Sequence, residues 1–454
     1  MSDKLGLPWL KGTPLVSTIT SVCASAFLLF GYDQGVMSGV VISSYWLDAM
    51  GNPSTIMVST ITALYDVGAV FGAILAAFTA EGFGRKRSLM IGTVLLIIGS
   101  ILMGSCYERI QMMVGRIFTG LETPRWLILH EETPHRGEIV LSKLRNKPID
   151  HPSIIEEKNE ILGAIELERA DDGSWLALFK DGGDGTDKRF YLSLGIQFMQ
   201  EMGGINMISY YAPTLFKESL GMSEERALFV GCFLQVWYVF ASFLTWYIID
   251  RVGRRRLFIL MAIAMSIIMA CEAACVAVGG VSASIAAVFF VFLFEGCLSW
   301  GWQASTWVYP AEILPLKVRA KGASLAAASC FLGNFLVVEI TPPALENIGY
   351  KTYIIFAVLN LVQAIVSWAF YPETALIPLE QIDKLFVSNE VEKQPKKGIY
   401  KFQYSVVRTA DDVFHEIQRQ RKMGNNVELG LKDGSDTASS DKIEKSPVEH
   451  VEIE

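Results

Sequence analysis

The chain has 454 residues, 51% hydrophobic and 19% charged, against about 25% charged in an ordinary soluble protein, and its mean hydropathy is +0.35. Its net charge of -8 gives no sign of a nucleic-acid partner, because much of the acid lies in two polar stretches, 130–188 and 372–454. These numbers exclude an ordinary soluble enzyme and leave a polytopic membrane protein whose first partner is the lipid bilayer.

Residues 1–14 are polar or interrupted by proline, and the apolar run after them is long enough to span, so it reads as a retained helix and not as a cleaved signal. With about 20 apolar residues needed per crossing, spans are predicted over 15–41, 55–80, 88–106, 190–215, 226–249, 257–279, 283–309, 322–340 and 350–371. A tenth candidate, 110–121, is too short unless it continues through Trp126–Leu129, which would bury Glu122, Pro124 and Arg125. The expected fold is all-α and transmembrane, with about 10 spans. Along the second span Gly68, Gly72, Ala76 and Ala80 recur every four residues; such a stripe lets another backbone approach closely and reads as packing.

Two short basic loops, Gly84–Arg87 and Gly253–Arg256, each sit between apolar runs. Clustered Lys and Arg mark the cytoplasmic side, and a hairpin recurring in two halves is the mark of a carrier built from internal repeats. Segment 130–188 reads as a cytoplasmic linker with short amphipathic helices, and 372–454 as a cytoplasmic tail whose last 30 residues are too polar to fold. All seven cysteines fall in or beside apolar segments and read as buried thiols. Neither metal nor cofactor is expected. There is no phosphate loop, zinc-ligand pattern or nucleophile elbow to support catalysis.

Asp33 is an ionisable group within the first apolar helix, which makes it a functional candidate by default. Asp66 is a weaker one, without an obvious partner. Gln200, Asn206, Tyr210 and Tyr211 offer side chains that both donate and accept beside aromatic faces, and Gln197 lies one turn earlier. Trp302 and Trp307 stand on an apolar helix, where aromatics more often pack than bind.

At this level of detail the chain resembles the sugar porter family of the major facilitator superfamily, fungal type. The resemblance is carried by Phe30–Gly39, the two basic loops (the second read as Asp250–Arg255), Gly115-Arg116, Glu122–Leu127, Gly204-Ile205-Asn206 with Tyr210–Pro213, Trp307–Glu312 and Tyr371–Thr374. These motifs come in the family's order over about 27–386. In the family, the Gly-Arg of the fourth helix and the Pro-Glu-Ser/Thr-Pro-Arg-Trp-Leu element are separated by the rest of that helix and two more. Here Arg116 and Pro124 are eight apart, so the fifth and sixth helices are missing from an original twelve.

The implied architecture is a cytoplasmic N-terminus (1–14), an incomplete N-terminal half of three helices and a stub (15–129), the linker (130–188), a six-helix C-terminal half (189–371) and the tail (372–454). The implied activity is alternating-access transport of a sugar or polyol with proton symport at the plasma membrane, impaired here by the missing helices. Proton coupling would fall to Asp33 and Arg116, with a static buried salt bridge as the plainer alternative. Substrate contacts would fall to Gln197, Gln200, Asn206, Tyr210, Tyr211, Trp302, Trp307 and Asn334, and a cytoplasmic latch to Arg85, Arg87, Arg254, Arg255 and Glu312. The sequence departs from the sugar pattern at Glu201, in place of a second Gln, and at Tyr238 and Cys330, which leaves hexose, pentose, disaccharide and polyol open. The rival reading is a transport-dead sugar sensor or regulatory membrane protein.

Overall fold

A computed structural model describes residues 35–83, 85–121, 175–180, 185–218 and 221–375, with scattered single positions outside these stretches. Among them there is no strand. The helices are α1 (Ser44–Ala49), α2 (Thr55–Phe83), α3 (Arg85–Gly104), α4 (Arg109–Gly120), α5 (Thr186–Met202), α6 (Ile205–Glu218), α7 (Glu224–Val252), α8 (Arg254–Val278), α9 (Val281–Leu298), α10 (Ala304–Ile313), α11 (Leu316–Ile348) and α12 (Lys351–Phe370). A 3₁₀ turn covers Trp175–Leu178, and a π-helical turn, Ser299–Gln303, joins α9 to α10.

Six helices among the described residues are long and apolar enough to cross a bilayer: Thr55–Phe78, Glu224–Val252, Arg254–Val278, Val281–Ile313, Val318–Ile348 and Lys351–Phe370. The chain is thus a multi-pass membrane protein. Its spans keep large side chains outward, as with Phe240, Phe243 and Trp246 on α7; in a bilayer such a face meets acyl chains and not water. The stretch 88–106 corresponds to α3, of which Met90–Gly104 is apolar, and 110–121 to the short α4. Most of the linker, most of the tail and most of the first span lie outside the described residues.

The N-terminal helices join by close backbone contact. The missing side chain of Gly68 on α2 admits the carbonyl of Ile117 on α4, and Gly120 of α4 admits Tyr65 in return, as the small-residue stripe predicts. A second seam runs between α2 and α11, where Ala73 meets Ala327 and Ala328. The C-terminal helices enclose the larger core, in which Phe258, Trp302, Tyr309 and Tyr371 pack ring on ring.

Candidate functional site at the broken helix

The predicted span 190–215 is two helices. Gly204 breaks it, with φ +95, a backbone state that suits a residue without Cβ. Amides of α12 brace the break: Asn360 Nδ2 donates to Gly203 O at 2.9 Å, and Gln363 Nε2 donates at 2.6 Å to Met199 O, which also accepts the Gly203 N–H at 3.1 Å. The π turn is stabilised the same way, with Thr245 Oγ1 donating to Ser299 O at 2.8 Å. Sequence reading passed over Asn360 and Gln363. Their signal was present, as amides three residues apart on an otherwise apolar helix.

Around the break the amides converge. Gln197 Nε2 donates to Thr306 O at 3.0 Å and Gln200 Nε2 to Gln303 Oε1 at 3.2 Å, while Thr306 Oγ1 donates to Gln200 Oε1. Asn206 Nδ2 donates to Glu201 Oε2, Cys330 Sγ reaches Glu201 Oε1 at 3.1 Å, and Asn334 Nδ2 donates to Asp66 Oδ1 at 2.8 Å. Tyr210 is buried next to Asp66 and Asn334. Two acceptors in this group, Gln197 Oε1 and Asn334 Oδ1, are buried without a hydrogen-bond partner among the described residues.

Other expected contacts are already engaged. Tyr211 donates its hydroxyl to Val338 O at 3.1 Å, and Trp302, fully buried, donates its indole N–H to Phe258 O at 3.1 Å. Trp307 is half-buried and packs against the alanines of the α2–α11 seam.

Arg116 is fully buried, donates Nη2 to Thr62 O at 3.0 Å and lies over the Tyr65 ring at 4.8 Å. Asp33 lies outside the described residues, as do the side chains of Arg85 and Arg87.

At the end of α7 the basic loop forms a charged brace. Arg254 reaches Asp250 at 2.8 Å and Glu312 at 3.0 Å, and Glu312 accepts from Thr374 Oγ1 at 2.6 Å. Glu373 accepts the backbone N–H of Arg254 at 2.8 Å, which caps α8 with a carboxylate at its positive end. Arg255 donates to Trp368 O at 2.9 Å. These contacts tie α8, α10 and the exit of α12 together within the C-terminal half. A cavity of about 1010 Å³ lies at the far end of α7, away from the broken helix, lined by Met222, Phe229, Val230, Val281 and Ile285 together with Ser223, Glu225, Arg226 and Ser284.

The family described as "Sugar (and other) transporter" matches residues 18–121 and 122–386. The two pieces meet between Leu121 and Glu122. The MFS-type transporter oryC of Aspergillus oryzae is 33% identical over 468 aligned positions, covering 84% of this chain and 87% of that protein. A probable quinate permease of Aspergillus clavatus is 32% identical and covers 62% of the chain, and the sugar transporter STL1 of Saccharomyces cerevisiae is 28% identical and covers 58%. The chain spans about half the length of these last two, 54% and 46%. Among solved structures, a double-Trp mutant of XylE superposes with a TM-score of 0.67 at 21% identity, covering 82% of this chain and 99% of that one. XylE bound to 6-bromo-6-deoxy-D-glucose gives 0.65 at 22%, covering 82% and 99%. At these identities the structures establish a shared fold, the major facilitator helical bundle.

Proposed function

The chain belongs to the sugar transporter family of the major facilitator superfamily, and on that premise we propose that it binds a polyhydroxylated solute at the α5–α6 break. The class comprises sugars, polyols and cyclic hydroxy acids, the last suggested by the permease relatives. The observation that carries this reading is a pair of buried acceptors, Gln197 Oε1 and Asn334 Oδ1, that have no hydrogen-bond partner among the described residues and lie among amide donors. A hydroxyl satisfies such an acceptor and an apolar solute does not. Gln200, Asn206, Tyr210 and Trp307 complete the binding group. Tyr211 and Trp302 support it by fixing α6 and α10 through main-chain contacts.

The activity such an architecture serves when both halves are whole is alternating-access transport with proton symport at the plasma membrane, with Asp33 and Arg116 as the coupling pair. Arg254, Arg255 and Glu312 form the latch at the cytoplasmic end, and Arg85 and Arg87 stand where its other half would be, their expected partner lost with the missing helices. The family match joins at Leu121–Glu122, where the sequence places the loss of two helices. A site between two halves needs walls from both, so this 454-residue chain binds solute weakly and does not carry it across. A role as a transport-dead sensor is compatible with the same geometry.

Expression in a hexose-transporter-deficient yeast tests both statements. No growth on glucose, xylose or a polyol is expected, together with weak binding of one of these to the purified protein. Robust growth would refute the impairment. Absence of binding by all three sugar classes and by quinate would refute the site.

A further inference from the structure

The cavity at the far end of α7 has no part in the reading above, and its walls carry two different chemistries. It opens between the loop before α7 and the turn before α9, at the end of the bundle opposite the basic loop Gly253–Arg256. Gly221 and Gly280 stand at its mouth, and a Cβ added to either would meet no atom within 4 Å. Phe229 and Val230 of α7 line it together with Val281 and Ile285 of α9.

The polar part is a pair of opposite charges left open to a ligand. Glu225 and Arg226 are consecutive, exposed and on the cavity wall. Glu224 beside them is taken by Lys217 at 2.9 Å, whereas neither Glu225 nor Arg226 has an ion pair among the described residues. Such a pair suits a ligand that carries both signs. The guanidinium fork matches a phosphate, and the carboxylate attracts an ammonium. Phe229 is 65% exposed at the same place, and an aromatic face also attracts a quaternary ammonium.

The apolar part has the length of an acyl chain. Arg226, Phe229, Phe233 and Trp237 lie on one face of α7, and Val281, Ile285 and Phe289 on one face of α9. Phe229, Phe233, Ile285 and Phe289 are all exposed, and the first two rings are 4.8 Å apart. This apolar track ends where Trp237 donates its indole N–H to Phe292 O at 2.7 Å and ties α7 to α9. Arg226 and Trp237 are eleven residues apart, about 16 Å along a helix. Half the hydrocarbon core of a bilayer is about 15 Å. A headgroup held at Arg226 therefore lets its chain reach the bilayer midplane and stop at the Trp237 tie.

We propose that this groove binds one zwitterionic glycerophospholipid, with its phosphate on Arg226, its ammonium between Glu225 and Phe229, and an acyl chain along Phe233, Ile285 and Phe289. An anionic headgroup would meet Glu225 without an ammonium to offset it. A soluble zwitterion would leave the track of exposed rings uncovered. The bound lipid bridges α7 and α9 at the end where the Trp237 contact does not reach. The site stands apart from the solute site at the α5–α6 break, and neither needs the other.

The test is native mass spectrometry of the purified full chain, titrated in detergent with palmitoyl-oleoyl phosphatidylcholine or with the matching phosphatidylglycerol, which has the same chains. One phosphatidylcholine should bind more tightly than phosphatidylglycerol. Arg226→Gln should weaken it by about tenfold, the worth of one charge-assisted hydrogen bond. Glu225→Gln should abolish the discrimination between the two lipids. Ile285→Trp changes no charge and fills the groove at an exposed position, so it should also displace the lipid from a folded protein. Equal affinity of the wild-type chain for both lipids, or tighter binding of phosphatidylglycerol, overturns the proposal. So does an affinity unchanged by Arg226→Gln or by Ile285→Trp. Glycerophosphocholine, the headgroup without chains, should not compete, and displacement of the lipid by it would overturn the assignment of the apolar track.

Discussion

Replacement of Gly204 by alanine isolates the energetic basis of the helix break. Two costs can be worked out separately. The φ of +95 at Gly204 puts an L-residue on the left-handed side, at about 1–2 kcal/mol. A Cβ there would stand 2.8 Å from Phe356 Cδ1 and 3.1 Å from its Cγ, and pressing it into that ring costs about 1–3 kcal/mol more. The sum is about 2–5 kcal/mol. Gly279 provides the control: its φ is +69 but no atom lies within 4 Å of an added Cβ, so Gly279→Ala bears only the backbone cost. Thermal unfolding in detergent, followed with a maleimide dye that reports exposure of the buried thiols Cys297 and Cys330, should rank Gly204→Ala well below Gly279→Ala. Trimming Phe356 to leucine should recover part of the gap, as expected for sites in contact. Equal destabilisation by the two substitutions would refute the argument that α12 packs the break shut.

Asn360→Leu should destabilise by about 1–3 kcal/mol, because it leaves the carbonyl of Gly203 without its side-chain donor, and Gln363→Leu by less, because Met199 O keeps the Gly203 N–H; the same unfolding assay reads both. Glu312→Gln removes the charge opposite Arg254 and should cost about 1.5–3 kcal/mol; a loss no larger than that of an exposed surface glutamate would mean that Asp250 and Glu373 hold the brace unaided. Asp150→Cys and Gln420→Cys should resist an impermeant thiol reagent applied to intact cells and react after permeabilisation. Labelling of either from outside would reverse the assigned topology. In a full-length relative, substitution of the aspartate equivalent to Asp33 by asparagine should abolish uphill uptake while leaving exchange, and unchanged pH dependence of uptake would remove that residue from coupling.

The crossings were legible in the sequence because a bilayer demands long apolar runs, and hydropathy needs no knowledge of partners. The same holds for the close approach at Gly68, where a periodic small-residue stripe specifies a contact without saying with what. The sequence set Gln197, Gln200 and Asn206 on the stretch that breaks; Gln197 and Gln200 reach Thr306 and Gln303, and Asn206 reaches Glu201. What each amide touches depends on through-space neighbours more than 100 residues away: Gln200 with Thr306, Gln363 with the carbonyl of Met199. Spacing along the chain carries no information about those distances. Trp302 illustrates the limit, since a tryptophan on an apolar helix could face a solute or a core, and only packing against Phe258 commits its N–H to a main-chain carbonyl. Asp66 illustrates it more sharply. The sequence showed an acid at membrane depth without a visible partner, whereas the fold sets it against Asn334, Arg116 and, across the seam between the halves, Glu201. Burial is a local property that composition can predict, but the electrostatics of a buried charge are fixed by which other helices pack against it, and tertiary structure alone decides that.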